Sequence, residues 1–283
     1  MFDRLSRSWQ LVKASGAVLL QDRKLLLFPL ISGVASLLVI VSFALPVFGV
    51  LVFDRYAAHG PRMTGAPFYL IAFSFYLVQY FVIFFFNSAL VGAAMMHLDG
   101  RQPTLGDGLR LAGSKFGAIL GYAFIAATVG LLLRMLQERV GFIGRMVVGL
   151  LGVGWHVATF LVVPVLVTRD VGPLDAVKES AATLKRTWGE NVVGQAGLGL
   201  AFGLLQLAVI CAGVLLVALA AMAGSVALVV LALTFAVLAV VLSVLVHSAL
   251  SGIYAAALYR FAVQGSSAQG FDAGALRQAF VAR

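Results

Sequence analysis

The chain has 283 residues and a formal net charge of +9, and 62% of its residues are hydrophobic while only 11% are charged. Because soluble domains usually carry about 25% charged residues, this composition excludes an ordinary soluble domain and indicates an integral membrane protein. The single cysteine, Cys211, lies in an apolar run, which excludes an intrachain disulfide and a cluster of thiolate metal ligands.

The chain begins with a predicted amphipathic helix that is rich in basic residues. Large apolar residues recur at helical spacing on one face, whereas the basic residues point away from it. Such a helix either lies on a membrane surface or packs on protein, and the pattern favours neither. The apolar run after it begins at Leu25 and exceeds the roughly 7–15 residues of a signal-peptide core, so we expect it to be retained. The apolar face comprises Phe2, Leu5, Trp9, Val12, Gly16 and Leu19, and Arg4, Arg7 and Lys13 are candidate lipid-headgroup contacts.

Six apolar segments follow, each close to or above the length of about 20 residues that crosses a membrane. Polar or charged connections separate most of them, but only Ala223-Gly224-Ser225 lies between the fifth and the sixth. For this last pair the sequence favours two crossings over a re-entrant hairpin. The predicted spans are Leu25–Phe53, Pro67–Leu98, Phe116–Leu133, Val147–Val167, Val192–Met222 and Val226–Phe261.

Two further charged segments are predicted to form short amphipathic helices in front of the third and the fifth span. In Asp99–Lys115, Thr104 and Asp107 have the spacing of a capping box, which starts a helix. In Pro173–Trp188, apolar residues alternate at intervals of three and four. Lys185 and Arg186 lie off this second stripe and are candidate lipid-headgroup contacts. The two stripes are Leu105, Leu109, Ala112 and Phe116, and Leu174, Val177, Ala181, Leu184 and Trp188.

Lysine and arginine are unevenly distributed between the two sides of this predicted bundle. Since cytoplasmic connections carry the excess of positive charge, both termini and all amphipathic segments are assigned to the cytoplasm of a bacterial inner membrane. The same bias explains the positive net charge without a nucleic-acid partner. Of the 20 lysine and arginine residues, the outer connections hold only Arg55, Arg62, Arg134, Arg139 and Arg145.

The segments recur as three units, each an amphipathic helix followed by two spans, at about 1–98, 99–170 and 171–262. Units with an even number of spans keep one orientation, so they are parallel repeats around an axis along the membrane normal. The sequence therefore predicts an all-α polytopic bundle of six transmembrane helices, built from three hairpin repeats that each follow a cytoplasmic amphipathic helix. Residues 1–262 form a single transmembrane domain, and 263–283 form a cytoplasmic tail with a short amphipathic helix.

A polar residue recurs near the middle of the second, fourth and sixth spans, and the three residues are Asn87, His156 and His247. Each histidine precedes the next basic residue by a stretch of helix about 20 Å long, which places it near the centre of a core about 30 Å thick. Polar side chains at this depth need partners. The three residues are either interhelical hydrogen-bonding groups, which we favour, or a site for a substrate headgroup, an ion or a proton.

The sequence contains no motif of known chemistry. H-E-x-x-H, G-x-S-x-G and G-x-x-x-x-G-K-[ST] are absent, and no acidic or basic residue lies deep in a span. His247 and Ser248 are adjacent, so on a helix they do not face each other as a base and a nucleophile would. We therefore assign no catalytic, metal-binding or cofactor-binding residue and expect no cofactor.

Two segments give the chain a resemblance to known bacterial families. They are Leu5–Lys13 and Ala182–Asn191, each a basic amphipathic helix with a tryptophan that leads into apolar sequence. In this pattern the chain resembles the YciC-like inner-membrane proteins, the membrane domain attached to some glycerophosphodiester phosphodiesterases, and related domains of unknown function. The resemblance implies an all-helical bundle of six spans and carries over no catalytic residue.

These observations favour a non-enzymatic inner-membrane protein that binds lipid or a partner and organises the bilayer. Its expected partners are membrane lipids, anionic ones in particular, and a protein partner or a second copy of the chain, but no nucleic acid. The alternative function is a transporter or lipid-translocating protein that uses the polar residues in the middle of the membrane.

Overall fold

The computed structural model describes residues 15–56, 66–186 and 188–264, and nearly all of them are helical. No strand occurs in these ranges, so the predicted all-α class is confirmed for the described chain. A 3₁₀ turn, Arg23–Leu26, separates the first two helices. The helices are α1 (15–21), α2 (Leu27–Tyr56), α3 (Ala66–Leu98), α4 (Leu105–Ser114), α5 (Phe116–Arg139), α6 (Phe142–Ala158), α7 (Val162–Thr168), α8 (Pro173–Arg186), α9 (Trp188–Met222) and α10 (Val226–Gln264).

Six helical segments of the described chain are long and apolar enough to cross a membrane, which confirms the predicted number of spans. A helix suits such a segment because it satisfies its backbone hydrogen bonds internally, where lipid offers no partners. The segments are Arg23–Pro46, Tyr69–Leu98, Phe116–Arg139, Phe142–Thr168, Phe202–Met222 and Val226–Arg260.

The connection predicted at 134–146 is mostly helical, and this part of the sequence prediction is wrong. Helix α5 continues to Arg139, and α6 begins at Phe142. The side chains of Arg134 and Glu138, one helical turn apart, form an ion pair in which Nε and Oε1 are 3.2 Å apart. Such a pair supports the helix locally, so the charged residues extend α5 instead of ending it.

The fourth span is not one continuous helix, as the sequence predicts, but two. It is broken at residues 159–161, between α6 and α7. Pro164 lies in the first turn of α7, where its missing N–H is not needed for an intrahelical hydrogen bond. The break therefore lies before the proline, and hydrogen bonds from another helix, α8, stabilise it.

The described chain divides into two compact units. Residues 27–93 and 102–184 form the first, called here the middle unit. Residues 15–26, 94–101 and 185–264 belong to the second, called here the terminal unit. Helix α3 therefore contributes its last turn to the terminal unit and the rest of its length to the middle unit.

The core of the middle unit lies where α4 packs against α3. A Cβ atom added to Gly108 would lie 2.6 Å from Phe28 Cζ and 2.7 Å from the carbonyl oxygen of Ala89. A Cβ atom added to Gly92 would lie 2.6 Å from Leu111 Cδ2. At Gly108 the approach is to main chain and only glycine permits it, whereas at Gly92 the nearest atom is the end of the Leu111 side chain. Buried residues of this unit include Leu90, Val91, Ala112, Ile119, Tyr122, Ala123 and the whole of 161–167.

The predicted capping box at the start of α4 is confirmed. Thr104 Oγ1 accepts a hydrogen bond from the Asp107 N–H at 3.2 Å. The Asp107 carboxylate accepts bonds from the Thr104 hydroxyl at 2.7 Å and from the Thr104 N–H at 2.8 Å. These bonds, the hydroxyl bond foremost, hold the pKa of Asp107 below its ordinary value because they favour the ionised carboxylate.

In the terminal unit, α9 and α10 pack against each other. A Cβ atom added to Gly213 would lie 2.9 Å from the Cβ of Ala236, so the two helices approach closely at that level. Farther along, α10 is fully buried over 253–259, and the 3₁₀ turn Arg23–Leu26 packs against α10. The core of this unit therefore lies at the end of α10 that carries Arg260.

Candidate functional site

Helix α8 presents two different faces. Ala176, Ser180 and Leu184 are buried, and they recur every four residues along one face. Leu174, the first residue of the predicted apolar stripe, is 62% exposed and lies outside this buried face. The small residues Ala176 and Ser180 let α8 approach the broken fourth span closely.

The Ser180 hydroxyl stabilises the break in the fourth span. Its oxygen accepts a hydrogen bond from the Leu161 N–H at 3.1 Å and donates one to the Ala158 carbonyl at 2.7 Å. The Thr159 hydroxyl donates to the Trp155 carbonyl at 2.8 Å. A backbone group without a partner is very costly inside a membrane, so these bonds allow the helix to be interrupted there.

Two ion pairs tie the loop between α7 and α8 to its neighbours. Lys115 Nζ lies 3.1 Å from the Asp170 carboxylate and donates a hydrogen bond to the Arg169 carbonyl, also at 3.1 Å. Arg169 Nη1 lies 3.0 Å from Glu179 Oε1. The pairs connect the start of α5, the loop and α8 within the middle unit.

The open side of α8 carries apolar and basic residues together. Lys178 and Lys185 are exposed, as is Leu174. Lys178 Nζ lies 3.1 Å from Asp175 Oδ1, in an exposed pair that contributes little energy and leaves the ammonium group accessible. Of the other candidate headgroup contacts, Arg4, Arg7, Lys13 and the side chain of Arg186 lie outside the described residues.

Asn87 and His156 both belong to the middle unit, but their surroundings differ. Asn87 is half-buried, directly before the buried end of α3, whereas His156 is exposed on α6. No hydrogen bond between the two side chains occurs in the described part of the chain. His247 belongs to the terminal unit, and the convergence of the three residues on one axis stays a prediction.

His247 has neighbours of its own between α9 and α10. Its ring centroid lies 4.6 Å from that of Phe202. One turn away on each helix, the Ser243 hydroxyl donates a hydrogen bond of 2.6 Å to Gln206 Oε1. The ring pair and the hydrogen bond thus form two successive layers of the helix contact, an arrangement typical of helices that associate inside a membrane.

Sequence reasoning missed Ser180, which joins two elements of the middle unit. A weak signal was present, because Ala176, Ser180 and Leu184 follow one another at helical spacing with a polar residue in the centre. The sequence did not indicate that the Ala158 carbonyl and the Leu161 N–H need a partner from another helix, because no glycine or proline lies at the break, 159–161.

The described residues form no recognisable metal site. No group of three or more His, Cys, Asp and Glu side chains in this part of the chain is placed to hold a metal ion. Cys211 is a free, exposed thiol on α9.

Comparison with known families places most of the chain in one group. A family described as a family of unknown function, DUF6159, matches residues 66–271, a region that includes the last five of the six spans. This match supports neither the YciC-like proteins nor the phosphodiesterase-associated membrane domain specifically. No curated protein matches the chain.

Proposed function

The chain belongs to the DUF6159 family, whose function is unknown. From its apolar helices and from α8 we propose that it is a non-enzymatic membrane protein that binds anionic lipid and organises the bilayer around it. The observation that carries the proposal is the open side of α8, where Leu174 and Lys178 of the middle unit are exposed together. Helices with this combination bind anionic membrane surfaces, because apolar burial and electrostatic attraction act together.

The buried side of α8 supports the same function. Ser180 bonds to the fourth span, and Glu179 pairs with Arg169 in the loop before α8. Lys178 and Glu179 are adjacent in α8. The cation that is proposed to contact lipid therefore follows directly before the residue that pairs with Arg169, in the loop after the fourth span. Lipid bound on α8 would therefore lie next to the fourth span, which is what local organisation of a bilayer requires.

We further propose three parallel repeats in a bacterial inner membrane, with both termini in the cytoplasm. The second, fourth and sixth spans are each buried just before a basic connection, over 88–94, 161–167 and 253–259. This recurrence supports the repeat units inferred from the sequence. The excess of lysine and arginine beyond these buried ends supports the orientation.

The lipid proposal is tested by thermal unfolding of the purified protein in detergent with added phospholipid. Phosphatidylglycerol should raise the unfolding temperature of the natural chain more than phosphatidylcholine does. The variant K178Q/K185Q should lose this preference, by up to about 1 kcal/mol per charge, because exposed cations attract anionic headgroups. The matched variant K178R/K185R keeps both charges and should keep the preference. If K178Q/K185Q responds to the two lipids as the natural chain does, α8 is not the lipid-binding element.

One observation favours the alternative, a transporter or lipid-translocating protein. His247 Nδ1 is buried and has no hydrogen-bond partner in the described part of the chain, as a group that binds a proton or a substrate would. The broken fourth span gives this function no support, because the hydroxyl groups of Ser180 and Thr159 already bond to its backbone.

Transport predicts that H247L abolishes substrate or proton movement in vesicles while the unfolding temperature stays close to that of the natural chain. Unchanged movement would remove this alternative.

A further inference from the structure

One side of α6 is open along the whole helix. Phe142 is 75% exposed, and Met146 and Val153 are each 60% exposed. A Cβ atom added to Gly149 would meet no atom within 4 Å, and His156 is exposed as well. These five residues follow one another at intervals of four, three, four and three positions, so they form a single stripe along the helix. This stripe is called here the α6 seam.

The other side of α6 is packed within the middle unit. Val148 and Thr159 are buried. A Cβ atom added to Gly152 would lie 3.9 Å from Leu133 Cδ1 of α5, which is ordinary van der Waals contact. Helix α6 therefore rests on its own unit through one side and leaves the α6 seam uncovered.

His156 distinguishes the α6 seam from a surface that only faces lipid. It lies close to the middle of the segment Phe142–Thr168, which is long and apolar enough to cross a membrane. Exposed hydroxyl groups on other spans, those of Ser42 and Thr234, bond to a carbonyl of their own helix and need no further partner. The His156 imidazole has no hydrogen-bond partner in the described part of the chain. Because lipid tails offer none either, this side chain indicates a protein surface opposite the α6 seam.

A second copy of the chain fits the α6 seam. Two copies in one membrane share an orientation, so a two-fold axis along the membrane normal brings each residue of the α6 seam opposite its own counterpart. A neutral imidazole has one donor and one acceptor nitrogen, so two copies of His156 can bond to each other. Gly149, two turns away, lets two helices approach closely, and intervals of four and three are those of a packed helix pair. The α6 seam thus supplies both the polar and the small residue that the opposite helix needs.

We propose that the protein forms a homodimer through the α6 seam, in which the two α6 helices pack closely at Gly149 and the two His156 side chains bond to each other. The dimer is independent of the proposed lipid binding, because the α6 seam and the open side of α8 share no residue.

The first test is disulfide crosslinking of the full chain in its membrane. Cys211 is the single cysteine, so C211A supplies a background without thiols. In this background V153C should give a crosslinked dimer on oxidation, because the two copies of residue 153 face each other. L151C is the matched control, since Leu151 is 57% exposed but two positions away, almost on the opposite side of the helix. It should give little dimer under the same conditions.

The second test measures association by energy transfer between two fluorescent fusions of the full chain in lipid vesicles. G149L should abolish the transfer, because its side chain fills the space between the helices. G154L is the control, because Gly154 also has open space around it but lies off the α6 seam. H156L should weaken association about threefold, the equivalent of an average interhelical hydrogen bond. H156N keeps a donor and an acceptor and should associate more tightly than H156L. K178Q/K185Q should associate as the natural chain does.

Equal crosslinking of V153C and L151C would overturn the proposal, since it would reflect random collision. Equal transfer by G149L and G154L would overturn it as well, and so would unchanged association of H156L. A natural chain that is monomeric in vesicles would show that lipid or another segment of the same chain covers the α6 seam. Convergence of His156 with Asn87 and His247 would require the latter. If G149L does not fold, the crosslinking pair alone decides the question.

Discussion

Ser180 is buried, and its hydroxyl bonds to two main-chain groups at a helix break. In such a position a single hydroxyl group has an unusually large effect on the stability of the fold. Its loss leaves the Leu161 N–H and the Ala158 carbonyl without partners and away from water. The same oxygen atom both donates and accepts, whereas an ammonium group only donates and an amide needs two separate atoms for the two bonds. Serine is also small enough for the close contact between α8 and the fourth span.

Replacing Ser180 by alanine should lower the free energy of unfolding by about 1–3 kcal/mol, the cost of buried polar groups left unpaired. Denaturant titration of the purified protein in detergent measures this change. S114A is the control, since the Ser114 hydroxyl is exposed and bonds only to the Leu111 carbonyl in its own helix. Its effect should stay within about 0.5 kcal/mol. Equal effects of the two variants would show that the break does not depend on Ser180.

Asp107 predicts a pH dependence of stability. Its pKa is lowered in the folded protein from an ordinary value of 3.8, because the Thr104 hydroxyl and then the Thr104 N–H bond to the ionised form. The ionised carboxylate therefore stabilises the fold above the unfolded-state pKa, and this contribution is lost as the pH falls through the folded-state pKa. The stability difference between the natural chain and D107N should be constant from about pH 7 to pH 5 and should shrink below about pH 4. Thermal unfolding at several pH values checks this, and a constant difference down to about pH 3 would contradict it.

Helix α4 depends on the absence of a side chain at one position. It contacts Phe28 and Ala89 through Gly108, where even a methyl group would overlap with both. G108A should therefore destabilise the protein by about 1–3 kcal/mol, the usual cost of overpacking. Gly113 lies in the same helix with open space around it, so G113A should instead stabilise by roughly 0.5–1 kcal/mol through helix propensity. Equilibrium unfolding of both variants measures the contrast, and the same sign for both would contradict the packing account.

The elements of this protein differ in how far the sequence could predict them. The six spans follow from segment length and apolar character, and the cap of α4 follows from two residues three positions apart, so both are local properties. The break in the fourth span is not local, because its backbone groups are bonded by Ser180 from a helix 19 residues further along. The contact of Gly108 with Phe28 likewise joins residues that are distant in the sequence. Neither could be predicted without the tertiary structure.

At the scale of the whole molecule, the distribution of charge predicts the topology. Reporter fusions after Arg62 and after Gly141, in the short turn between α5 and α6, should be active in the periplasm. Fusions after Lys115 and after Arg186 should be active in the cytoplasm, since the basic connections remain on that side. Alkaline phosphatase and a fluorescent protein as paired reporters give opposite signals at each site. A cytoplasmic signal after Arg62 would reverse or remove the proposed orientation.

The bond between Ser180 and the break has a consequence for biosynthesis. When Leu161 reaches the translocon, the hydroxyl that will bond to it follows 19 residues later in the chain and has not yet arrived there. Until then α7 cannot leave the insertion machinery for lipid without exposing an amide and a carbonyl. We therefore expect α6, α7 and α8 to be released into the bilayer together. Stalled nascent chains of increasing length should gain protease resistance in this region in one step, once α8 has emerged, and a gradual gain would contradict the coupling.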